Sequence, residues 1–108
     1  MSFLEELLVD LWTESGEHAQ QLRDSVPRGK CLEVQHEAHS IKGAAANLMC
    51  HRLRSAALFL EKAGFVGTKL IEGAPEAPIV HKAMVLGMKI LEDELVTLSG
   101  VLKDKNLI

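Results

Sequence analysis

Val34-Gln35-His36-Glu37-Ala38-His39-Ser40-Ile41-Lys42-Gly43-Ala44-Ala45-Ala46-Asn47-Leu48 is the stretch on which the fold turns. Nothing in it alternates with period two, and its apolar residues recur at spacings of three and four, as one face of an α-helix requires. At 100° per residue, with His39 set at zero, Val34, Ala38, Ile41, Ala45 and Leu48 gather around roughly 200° and define a core face. His39 points the other way, toward solvent. Leu32, Gln35, His36, Lys42, Gly43 and Ala46 fall within about 60° of it. Glu37 projects near the apolar side and fits this wheel less well, unless a neighbouring helix offers it a partner. The face around His39 therefore holds an imidazole, an ammonium, two positions with almost no side chain and one exposed leucine. Gly43 lowers helix stability by about 1 kcal/mol relative to alanine. Close approach of another backbone is one reason to accept that cost on an outward face.

The rest of the chain reads the same way. Leu4, Leu7, Leu8, Leu11, Ser15, His18 or Ala19, and Leu22 make a stripe along a first helix. Ser2 caps its start with Glu5 three residues on, and Pro27 and Gly29 end it. The second helix is expected from Arg28 or Lys30 to Leu48 or Met49. A third runs from about His51 to Ala63, facing inward with Leu53, Ala56, Ala57 and Leu60, and Gly64 or Gly67 closes it. Gly67 to Glu76 reads as the loop. A fourth helix starts near Pro75 or Pro78 and reaches Leu102. It carries one stripe of Ile79, Ala83, Leu86 and Ile90 and a neighbouring one of Met84, Leu91, Leu95, Leu98 and Leu102. Short connections favour antiparallel neighbours, so the expected fold is all-α, an up-down-up-down four-helix bundle formed by a single domain over residues 1–108.

Composition narrows the function. Of 108 residues, 47 % are hydrophobic and 25 % charged, ample for a core and against disorder. A net charge of −3, with no basic block, argues against a nucleic-acid surface. No apolar run approaches the roughly 20 residues of a bilayer span, and no basic lead of a signal peptide stands at the N-terminus. Cys31 and Cys50 would lie roughly 28 Å apart on one helix, too far for a disulfide unless the helix breaks between them. A cytoplasmic location is expected. No P-loop or kinase signature is present.

The run His39, Lys42, Gly43, Ala44, Ala45 and Leu48, with Ala38 before it, resembles the active-site helix of histidine-containing phosphotransfer (HPt) domains. Members of that family often carry Gln or Glu on the next helix, twenty-two residues after the histidine, and Glu61 stands there. The resemblance implies a phosphocarrier and not a kinase. His39 would be the nucleophile through Nε2, Lys42 would reach the phosphoryl oxygens, Gly43 would make room for a partner, and Glu61 would orient the imidazole or hold Lys42. The implied partners are response-regulator receiver domains, including those of hybrid sensor histidine kinases. They would supply the aspartate and Mg²⁺, so no cofactor or metal is expected to bind stably here. Neither nucleic acid nor membrane is an expected partner, and a monomer is expected. Leu32, Gln35, His36 and Ala46 are docking candidates, as is Trp12, which would otherwise serve the core boundary. Two departures stand out: Ala44 replaces a frequent serine, and Met49 replaces a glycine that often follows the Asn-Leu pair. A metal-binding bundle using His36 and His39 with nearby carboxylates is one rival reading, and a helical module that docks receivers without being phosphorylated is another.

Overall fold

Several helix ends have a local cause in the computed structural model, which describes residues 1–108. Helix α1 spans Phe3–Ser25, α2 Cys31–Asn47, α3 His51–Thr68 and α4 Ala77–Asp104, with no strand. At the start of α1 the Ser2 hydroxyl accepts from the Glu5 amide while the Glu5 carboxylate accepts from the Ser2 amide, the reciprocal box expected there. Gly29, at φ +66°, turns the chain after α1. Pro78 lies in the first turn of α4, where its missing N–H costs nothing.

The α2–α3 turn explains the departure at Met49. The Cys50 amide donates to the Ala45 carbonyl and the Met49 amide to that of Ala46, which is a Schellman ending. It places Met49 at φ +57°, in the left-handed region, where a side chain costs about 1 kcal/mol that glycine avoids. Met49 is also 77 % exposed, so its side chain gains little in return.

Helices adjacent in the chain are adjacent in space, and α4 returns to α1, which closes the antiparallel bundle. Cross-links confirm the direction. Along α1 and α2, His18 meets Glu37 while Ser25 meets Glu33, so the two helices run oppositely. Glu37 thus finds its partner on α1. The core takes Leu11, Ala19 and Leu22 from α1, Val34, Ala38, Ile41 and Ala45 from α2, and Leu53, Ala56, Ala57 and Leu60 from α3. The expected inward faces of α2 and α3 are therefore correct, with Leu48 packed at the edge. No helix is long and apolar enough to cross a membrane.

Three expectations are corrected. Helix α3 does not stop at Ala63; it continues to Thr68, and neither Gly64 nor Gly67 closes it. Both lie against the start of α2. A Cβ on Gly64 would sit 2.9 Å from the Cys31 carbonyl oxygen and the Gln35 amide nitrogen, and one on Gly67 would meet the Cys31 side chain. These glycines let two backbones approach, which single-helix patterning does not register. On α4 the expected stripe of Met84, Leu91, Leu95 and Leu102 is buried, joined by Val80, Gly87 and Met88, whereas the stripe of Ile79, Leu86 and Ile90 is exposed. Gly87 faces α3, and the Phe59 ring lies against it. Leu4 is exposed as well, because α2 ends before reaching the first turns of α1.

Gly64→Ala is expected to lower unfolding free energy by about 1–3 kcal/mol in urea titration, since the methyl group meets backbone that cannot swing aside. A change below about 0.5 kcal/mol would mean that the α2–α3 approach is looser than described.

Candidate functional site

The close approach at Gly64 sets where α3 can reach α2. One turn before it, Glu61 faces the seam and meets two α2 side chains. The Nδ1–H of His39 donates to Glu61 Oε2 at 2.5 Å, and Lys42 Nζ donates to Glu61 Oε1 at 2.7 Å. The carboxylate accepts and cannot donate when ionised, so the proton of a neutral His39 lies on Nδ1 and its Nε2 lone pair is free. The imidazole is 66 % exposed, whereas Glu61 is 13 % exposed and Lys42 24 %. A reactive ring therefore stands in solvent on a support that is largely buried.

Burial alone would push the Glu61 carboxyl up. The hydrogen bonds from Lys42 and His39, and their charges, outweigh it and hold Glu61 below the usual carboxylate range. Lys42 keeps two further N–H donors beyond the one given to Glu61. Its ammonium is thus held one turn from His39 without being used up.

Gly43 is next to Lys42 and exposed. A Cβ there would meet nothing within 4 Å, so no packing inside the protein requires glycine at this position. That is unlike Gly64, Gly67 and Gly87, each of which faces a neighbouring helix. Leu32, His36 and Ala46 are exposed on the same face, and Gln35 is half-buried where Gly64 abuts it. The sequence-derived constellation of His39, Lys42, Gly43 and Glu61 is therefore brought together around one carboxylate.

Trp12 is not part of it. It lines a groove between α1 and α4 with Gly16, Leu95 and Val96, on the side of the bundle away from the α2–α3 seam. Its position is half-buried. Phe65, which the sequence pattern does not single out, stands closer to the seam. It lies one turn beyond Glu61 on α3, is 47 % exposed, and carries the Lys69 ammonium over its ring at 5.1 Å. The i to i+4 spacing from Glu61 is the signal that would have found it. No group of three or more His, Cys, Asp or Glu side chains is placed to hold a metal ion.

The Hpt domain family model matches the chain over residues 6–99, which covers α2 and α3 whole and most of α1 and α4. No individual curated protein matches it.

Glu61 also links this site to stability. Its folded-state pKa lies below the ordinary 4.5, so its contribution is complete above that value and is lost as pH falls through the lower folded one. The stability difference between the wild type and Glu61→Gln is expected to be flat above 4.5 and to shrink below it. Denaturant unfolding at stepped pH measures this; a difference that grows with acid would contradict the arrangement.

Proposed function

The chain belongs to the Hpt domain family, which serves histidine phosphotransfer in phosphorelays by interacting with receiver domains, and on that premise we propose that His39 is its phosphoacceptor. In this reading it takes a phosphoryl group from the aspartate of one receiver and passes it to the aspartate of another. The observation that carries the reading is the Nδ1–Glu61 hydrogen bond, which leaves Nε2 as the free nucleophile on the exposed side.

The step is an in-line displacement. The Nε2 lone pair attacks phosphorus, an N–P bond forms, and the acyl-phosphate P–O bond breaks so that the receiver's aspartate leaves as a carboxylate. The ring keeps its Nδ1 proton and acquires positive character, which the ionised Glu61 offsets where it develops. Charge on the transferred group is spread over its outer oxygens, so positioning and nearby cations matter more than covalent participation. Lys42 supplies such a cation through its spare donors. Transfer to the next receiver reverses these events.

The divalent ion belongs to the receiver in this reading. Glu61 is the carboxylate at the seam, and both of its oxygens are engaged by His39 and Lys42, so the donor set fits a held imidazole and not a Mg²⁺ site. Receiver docking would use the bare surface at Gly43 and Ala46 with Leu32, Gln35, His36 and Phe65 around it. Cys31 and Cys50 are free thiols, which suits a reducing compartment, and the reading places the carrier in the cytoplasm.

Incubation with a phosphorylated receiver and Mg²⁺ is expected to leave an acid-labile, alkali-stable phosphate on this chain. His39→Gln abolishes it with helicity unchanged by circular dichroism, and Lys42→Ala slows transfer by roughly 10–100-fold. Label that persists in His39→Gln would move the site elsewhere, first to His36.

Gly43→Ala separates stability from function. It is expected to raise unfolding free energy by up to about 1 kcal/mol, because helix propensity improves and nothing is struck. Transfer is expected to slow about tenfold as the added methyl holds the receiver off. Unchanged transfer would refute the role of Gly43 in close approach.

A further inference from the structure

We propose that this chain forms a two-fold symmetric dimer through the exposed face of α3 and α4. On α4 the exposed or half-buried residues Ile79, Ala83, Leu86 and Ile90 follow one another at spacings of four, three and four. Phe59, Ala63 and Val66 do so at four and three on α3. That is the 3.5-residue period of a helix seam awaiting another helix, and within the monomer nothing covers it. The two rows form one surface, because the Phe59 ring lies on Gly87 and bridges α3 to α4.

A second copy is the occupant that Lys82 and Asp93 fit. They lie along one edge of the α4 row, about 20° apart on the helix wheel, with Lys89 about 20° beyond Lys82 on the outer side. A two-fold axis at the level of Met88 runs the α4 helices of two copies antiparallel. It sets Leu86 of one copy against Ile90 of the other, and Lys82 of one beside Asp93 of the other. Symmetry makes each contact twice, as an isologous interface requires. The neighbouring Glu94 is already engaged by Arg52 of its own chain, which leaves Asp93 as the acidic partner for Lys82.

The size is adequate for a modest interface. Phe59, Val66, Ile79, Leu86 and Ile90 are between 38 % and 69 % exposed. They offer on the order of 500 Å² per copy, and the lysine stems of Lys62 and Lys82 extend this toward the ~800 Å² per partner of a standard interface. Because His39 faces outward between α2 and α3, both imidazoles of the dimer remain open. The dimer replaces the monomer expected from the sequence and does not depend on the chemistry at His39.

Sedimentation equilibrium of the full chain tests this. The apparent mass is expected to rise from one copy toward two as concentration approaches roughly 0.5 mM. Leu86→Glu is expected to keep it at one copy while leaving helicity and acceptance of phosphate from a receiver unchanged. Lys82→Asp weakens the dimer at least tenfold, and adding Asp93→Lys restores it. A wild type that stays at one copy throughout, or a dimer untouched by Leu86→Glu, overturns the proposal. A double reversal that fails to restore association overturns the antiparallel pairing. Phosphate acceptance is read separately, so failure here leaves the role of His39 standing.

Discussion

The α2 and α3 backbones meet at Gly64, where a single added carbon would lie 2.9 Å from the backbone of α2. The rest of the site depends on that approach. A carboxylate side chain is short, and Glu61 reaches both His39 and Lys42 only because its helix is held so near. Were the helices separated by the width of ordinary side chains, the imidazole would rotate freely and the lysine would extend into water. Packing at one glycine thus becomes orientation at a histidine one turn away.

Electrostatics then does what packing prepares. Glu61 is mostly buried, a setting that favours a neutral carboxyl, yet the hydrogen bonds from Lys42 and His39 and the nearby Lys42 ammonium keep it ionised. An ionised, immobile carboxylate behind a mobile charge event costs no reorganisation when that event occurs. The bundle contains a second histidine–carboxylate pair, His18 with Glu37 at the α1–α2 seam, also at 2.5 Å. It has no lysine bound to the same carboxylate, and its imidazole is 35 % exposed against 66 % for His39. A histidine paired with a carboxylate is therefore not a site in itself. What distinguishes His39 is the neighbouring cation, the open Nε2 and the empty space beside Gly43.

The two glycine classes follow the same logic. Gly64, Gly67 and Gly87 are filled by neighbouring helices, and Gly43 is filled by nothing within the chain. The first class makes the fold; Gly43 leaves open space beside Lys42, as Gly16 and Gly100 do elsewhere on the bundle. The helix wheel of α2 places Gly43 on the outward face. Which glycines a neighbouring helix fills is set by the packed bundle.

Reading the sequence was sufficient where the information is local. The helical period, the Ser2–Glu5 box, the core face of α2 and the outward direction of His39 all follow from residues within a few turns of one another, and each is found as expected. The Glu61 position came from a family resemblance and not from spacing, because its hydrogen bonds cross 22 and 19 residues of chain. The end of α3, which of the two α4 stripes is buried, and the partner of Glu37 could not be read, for each depends on which surface of another helix lies opposite. Hydrophobic periodicity states that a helix has an apolar side. It cannot choose between two adjacent apolar stripes, as on α4, or tell a glycine that ends a helix from one that admits another. The sequence by itself determined four helices and an outward histidine. Tertiary structure decided which carboxylate holds that histidine, because a side chain's partner is set by the distance and register between helices, and those are properties of the packed bundle alone.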